Sequence, residues 1–211
     1  MALIRVSTNG IADDAVDNTK LDLADNYAFT GTVTGAGSLN LLSNITISAG
    51  ASSVEVPNVI SSSYTTFLII GTGIEIDTDN NHIRFQISTD NGSSFVTSSI
   101  YDTQGHGYQA GSSVNPINLT NSSYAVICGY GNQGSAAAET VSFELWLANP
   151  TNTTVNKLCW GHQVSQNQSG GALLDAQVGI MIEQTGAYDA FKIFPGAGNF
   201  DAGIIKVYGV S

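Results

Sequence analysis

Apolar and polar positions alternate along most of this chain with a period of two. In residues 82–88, HIRFQIS, the side chains of Ile83, Phe85 and Ile87 fall on one side of an extended backbone and those of Arg84 and Gln86 on the other. Residues 141–147, VSFELWL, repeat the pattern with Val141, Phe143, Leu145 and Leu147. Such alternation predicts strands with one covered and one wet face. Strand-like runs recur at residues 39–48, 52–56, 65–76, 82–88, 94–101, 124–130, 141–148, 157–165, 177–184, 190–194 and 203–210. Turn chemistry separates most of them: Asp77 to Asn81, Asp90-Asn91-Gly92, Asn149-Pro150, Ser169-Gly170-Gly171 and Pro195-Gly196. A parallel sheet would need crossover helices, and no long helical stretch is present, so the pattern predicts an all-β, antiparallel sandwich. The jelly roll is the expected form at this size.

The beginning of the chain is different. Residues 1–26 carry Asp13, Asp14, Asp17, Asp22 and Asp25 against only Arg5 and Lys20. Their apolar residues, Ile4, Ile11, Val16, Leu21 and Leu23 among them, are too sparse to enclose a core. An isolated helix shorter than about 12 to 15 residues is marginal in water, so order here has to come from packing on other copies or on a partner. From Tyr27 the period of two begins, with Phe29 and Val33 on one side, and Gly35 to Ser38 interrupt it as a hinge would. The expected organisation is an attachment arm and linker over residues 1–38 and a β-sandwich over residues 39–211.

Composition narrows the function classes. Charged residues are 11% of the 211, well under the quarter or so usual in soluble globular chains, so much of the surface is neutral Ser, Thr, Asn, Gln and Gly. The formal net charge of -11, with six scattered Lys and Arg, argues against nucleic acid as a partner, because phosphate contacts need clustered cations. No apolar run approaches the roughly 20 residues of a membrane-spanning helix, and the first 26 residues lack the basic start and apolar centre of a secretory signal. A soluble chain made in a reducing compartment is expected. Cys128 and Cys159 sit in apolar runs and read as buried free thiols. The Asn-X-Ser/Thr triplets at Asn44 and Asn152 are what a chain this rich in Asn, Ser and Thr produces by chance.

Catalytic and metal signatures fail one by one. A glycosidase needs two carboxylates about 5 to 10 Å apart across one bond. Most acids here, such as Asp77, Asp79, Asp90 and Asp102, occupy turn contexts where Asp bonds nearby backbone. Glu144 and Glu183 lie inside strands and are expected to face solvent or a neighbouring subunit. Asp77, Asp79 and Asn81 resemble half a calcium loop, but His82 stands where that loop needs Gly and Ser88 where it needs Glu. Gly129, Gly131 and Gly134 have dinucleotide-loop spacing without a βαβ unit around them. His82, His106 and His162 lack metal spacing, and there is no G-x-S-x-G elbow. No catalytic residue, cofactor or metal is predicted.

Recognition surfaces favour aromatic rings in polar settings. Tyr101, His106 and Tyr108 in one polar segment, with Tyr130 in a second, form the expected loop site, serving either as receptor contacts or as subunit interface. Tyr64 and Tyr188 are weaker candidates. Trp146 and Trp160, within apolar strands, are expected in the core.

The leader IADDAVDNTKLDLADNYAFTGTVTGAG resembles the N-terminal linkers of fibre and other virion structural proteins of tailed bacteriophages, particularly of marine and cyanobacterial hosts. LLSNITISAGASSVEVPNVISSSYTTFLII, IRFQISTDNGSSF and the terminal GNFDAGIIKVYGVS resemble the start, middle and close of a jelly-roll domain in such proteins. The resemblance covers most of the chain through strand and turn patterns rather than reactive motifs. It implies a homotrimeric, non-enzymatic virion component: a short tail fibre whose arm docks on other virion proteins, at a tail adaptor or nozzle, and whose β domain meets a host glycan or protein. Such fibres usually carry long repetitive shafts, and this chain has barely forty residues before the sandwich. A capsid decoration or cement protein is the alternative within virion proteins, and a tail-associated glycan depolymerase the alternative from another class.

Overall fold

The computed structural model describes residues 39–110, 115–167 and 172–210, with the side chains of 115 and 129–132 also outside the description. The arm residues Ile4, Ile11, Val16, Leu21 and Leu23, the turn at Ser169 to Gly171 and the Tyr130 side chain therefore lie outside the described residues.

Twelve strands make up the described fold, and no helix occurs among the described residues. They are β1 (Leu39–Thr46), β2 (Val54–Val56), β3 (Thr66–Ile76), β4 (Asn81–Ser88), β5 (Tyr101–Gln109), β6 (Asn115–Ser122), β7 (Ala125–Gln133), β8 (Val141–Ala148), β9 (Lys157–Gln166), β10 (Leu173–Ile182), β11 (Ala190–Pro195) and β12 (Phe200–Val210). They form an eight-stranded sheet in the order β1-β12-β3-β8-β9-β10-β5-β6 and a four-stranded sheet in the order β2-β11-β4-β7. Every pairing between these strands is antiparallel. The fold is an antiparallel β-sandwich, as the alternation predicts.

The core lies between the sheets. From the large sheet, Phe67, Ile69, Leu145, Leu147, Ile180 and Val207 point inward; from the small sheet, Phe85, Ile87, Phe191 and Ile193 meet them. Burying each of these side chains contributes roughly 1.5 to 3 kcal/mol relative to leaving it in water. The Phe85 and Phe191 rings lie 5.5 Å apart. Asn80 (φ 57) and Asn91 (φ 60) adopt left-handed backbone at the turns around β4, which short amide side chains tolerate better than most. Asp77 fastens one of these turns: its carboxylate accepts from the Asn199 N–H at 2.9 Å and from Thr78 Oγ1 at 2.7 Å. These bonds, the Asn199 N–H first, lower its pKa. Asp90 accepts from the Ser94 hydroxyl and N–H and from Ser88, which lowers its pKa likewise.

Cys128 and Cys159 are buried free thiols, as predicted, and burial raises the pKa of both, that of Cys159 to about 12.

Two expectations about strands fail. Residues 94–100 are irregular, and the segment from Tyr101 to Gln109, read as a loop, is β5 inside the large sheet. Its inward positions are Tyr101, Thr103, Gly105 and Gly107, so half of its apolar signal is missing from the sequence. Glycine is required there: a Cβ on Gly105 would collide with the Gln177 carbonyl of β10. Thr103 Oγ1 accepts from the Val126 N–H at 3.2 Å, filling the polar position from the opposite sheet.

Candidate functional site

The outward face of the eight-stranded sheet is where unspent aromatic surface collects. Strand parity dictates which residues stand there. With Val141, Phe143, Leu145 and Leu147 turned inward, Glu144 and Trp146 of β8 must point out; with Cys159 inward, Leu158 and Trp160 of β9 do the same. The register then assembles a row across five strands: Leu68, Trp146, Trp160, Gly179 and Gln104 are successive cross-strand partners on β3, β8, β9, β10 and β5. The expectation that both tryptophans are core residues is therefore corrected. Trp160 is 48% exposed, and its indole stacks on that of Trp146 with centroids 6.1 Å apart and planes inclined by 3°.

Next to Trp160 the row drops away, because Gly179 has no side chain. A trough of about 440 Å³ opens there, lined by Trp160, Leu158, Gly179, Met181, Asp102 and Gln104 along with parts of Cys159 and Ile180. Its far wall is held from behind by β6. Gln104 Nε2 donates to Asn118 Oδ1 at 2.8 Å, and Asp102 Oδ1 accepts from the Asn121 N–H at 2.7 Å. The trough thus has an indole wall, a glycine floor and a wall of fixed polar groups.

A second, polar row runs beside it: Glu144, His162, Gln177 and His106 are successive cross-strand partners. His162 Nε2 bonds Asp175 Oδ1 at 2.5 Å. Asp175 is on β10 opposite Val164, not opposite His162, so its bond to His162 runs diagonally between the strands. Ser142 Oγ, the nearest hydroxyl on β8, accepts from the Gly73 N–H at 3.2 Å. No group of three or more His, Cys, Asp or Glu able to hold a metal occurs among the described residues.

The predicted loop site divides. His106 and Tyr108 do reach solvent side by side on β5, ring centroids 5.7 Å apart, with Tyr108 54% exposed. Tyr101 does not: it is completely buried, its hydroxyl accepting from the Ile87 N–H at 3.2 Å and donating to the Val96 carbonyl at 2.9 Å. Burial raises its pKa. The side chain of Tyr130 lies outside the described residues. Tyr188 is also buried rather than a surface residue, its pKa raised by burial to about 12, with the Lys157 ammonium 5.5 Å from its ring. Glu144 and Glu183 are both exposed.

The outward face of the small sheet is already self-covered. The Arg84 guanidinium sits 3.9 Å from the centre of the Tyr124 ring and donates through Nε to His82 Nε2 at 2.9 Å. Burial, with Arg84 beside it, lowers the pKa of His82 to about 4. Lys192 stands between Phe95 and Phe194, 4.7 and 5.0 Å from their ring centres.

Fold and face together define an antiparallel β-sandwich with an aromatic trough on its larger sheet. No protein-family model, curated protein or solved structure matches the chain.

Proposed function

We propose that this chain is a non-enzymatic virion structural protein, a short homotrimeric tail fibre that docks on the particle through residues 1–38 and touches the host surface with its β domain. The virion role rests on the resemblance of the leader and strand segments to tailed-phage fibre proteins. The observation that supports adhesion is the half-exposed Trp160 beside an open trough, in a domain whose core is complete without it. A large aromatic side chain left partly in water, next to polar groups held in place, is the usual anatomy of a contact surface. Subunits would meet at the aliphatic end of the same face, where Leu39, Leu41 and Ile204 are exposed on β1 and β12.

Gold-labelled antibody against residues 39–211 should decorate the tail of intact particles, and the purified protein should scatter light with three times the 22.0 kDa mass of one chain. Gold distributed over the capsid would overturn the fibre assignment in favour of a decoration protein, and a monomer would overturn the trimer.

A further inference from the structure

The geometry points to a saccharide-binding site in the Trp160 trough, one that takes the flat C–H face of a neutral pyranose ring; this rests on the adhesive reading above and gives that adhesion a ligand class. Trp160 has Trp146 on its β8 side and Gly179 on its β10 side, so one face of the indole is stacked and the other borders the trough. A sugar ring lying on that free face would bury its apolar C–H bonds against the indole and turn its hydroxyls sideways. On the opposite wall, Asp102 and Gln104 are two residues apart on β5 and so point the same way. Their bonds to Asn121 and Asn118 engage Asp102 Oδ1 and Gln104 Nε2, which leaves Oδ2 and Oε1 as acceptors for adjacent hydroxyls. Groups fixed before binding lose little freedom on binding, which raises affinity. The volume of about 440 Å³ lies within the range of small-molecule sites, about 300 to 1,000 Å³.

Charge and backbone select among other occupants. Among the described residues no cation lines the trough, Asp102 contributes a carboxylate, and the chain carries a formal charge of -11, so sulfated, phosphorylated or uronic polymers are repelled. A quaternary ammonium would need inclined rings around it, whereas Trp146 and Trp160 differ by 3° and form a stack. A peptide strand would need a free backbone edge, but β9, β10 and β5 lie in the middle of the sheet with strands on both sides.

Both tryptophans of the chain stand at this site, so intrinsic emission reports its occupancy. Full-length protein is titrated with glucose, mannose and galactose oligosaccharides and, separately, with dextran sulfate, and its binding to bacterial cells is measured in parallel. At least one neutral series should change the emission saturably, and dextran sulfate should not. Gly179→Leu keeps both indoles while filling the floor; its Cβ would meet only the Gln104 carbonyl oxygen at 3.9 Å, so the backbone has room for a side chain there, and a thermal melt checks that the variant is folded. That variant and Trp160→Ala, read by calorimetry, should each weaken saccharide binding by about tenfold or more. The site is overturned if no neutral series binds, or if Gly179→Leu binds like the parent. Cell binding that persists without any saccharide response removes the sugar site and leaves adhesion standing. A saccharide response without cell binding does the reverse.

Discussion

On the outer face of the four-stranded sheet, Tyr124 lies under Arg84, and Phe95 and Phe194 flank Lys192. On the outer face of the eight-stranded sheet, Trp146 and Trp160 stack on each other with no cation over either ring among the described residues, and Trp160 opens on a trough. The same kind of residue thus serves two ends. Where a cation of the chain covers the ring, the ring's attraction for charge is spent on stability and the face is closed. Where no cation covers it, the ring surface is left for something else. Among the described cations, Arg84 and Lys192 are committed to the small sheet, Lys157 donates through Nζ to the carbonyls of Asn152 and Val155, and Lys206 stands on β12 of the large sheet opposite Ile70, outside the cross-strand row of the two tryptophans.

Four measurements would break or sharpen this contrast. The largest effect expected is on acid stability of the closed face. His82 has a folded pKa of about 4 against an ordinary value of 6.5, so below pH 6.5 the unfolded chain takes up a proton that the folded one refuses. Stability should fall as pH drops from 6.5 to 4, by roughly 2 to 3 kcal/mol, and be unaffected by this group above 6.5. His82→Gln, which still offers Arg84 an acceptor, should flatten that slope in urea titrations; an unchanged slope would show that the imidazole is not the source. Next, Arg84→Ala removes the cap on Tyr124 and the donor to His82, and should cost about 1 to 2 kcal/mol. Saccharide titrations of this variant should match the parent, since Arg84 stands on the other sheet. Trp160→Ala should show the opposite profile, losing only about 0.5 to 1 kcal/mol of stability from the broken cross-strand stack. A loss as large as that of a core residue would mean the indole is structural after all. Smallest, His106→Ala with Tyr108→Ala should stay within about 0.5 kcal/mol in thermal melts, as exposed strand residues do. Reduced cell binding by this double variant would extend the contact surface from the trough to β5, and no change would confine it.

Much of the fold was legible because its pattern is local. HIRFQIS and VSFELWL announce β4 and β8 through parity alone, and the buried thiols follow from their apolar neighbours. The order of strands was not legible, because it is set by pairings such as β3 with β12 and β5 with β10, far apart along the chain. β5 escaped because glycine stands where the inward apolar residues would be, a choice dictated by the approach of the β10 backbone at Gly105. The tryptophans were misplaced for a different reason. Their surroundings are apolar, yet Trp146 falls on the opposite parity from Phe143, Leu145 and Leu147, and Trp160 on the opposite parity from Cys159. The period-two rule carried the right answer and the bulk hydrophobicity of the segments obscured it. The exposure of His106 and Tyr108 was legible, but not the Gly179 floor, since a glycine announces a gap only once its cross-strand neighbours are known.

The two cysteines are placed one to a sheet, Cys128 on β7 and Cys159 on β9, each sealed in the core and each held as the neutral thiol by burial. Only a sheet that has opened can offer its sulfur to an alkylating reagent. The molecule therefore carries two internal clocks, and under native conditions their labelling rates time the opening of each layer separately. Equal rates would mean that the layers part as one cooperative unit, and unequal rates would identify which layer yields first.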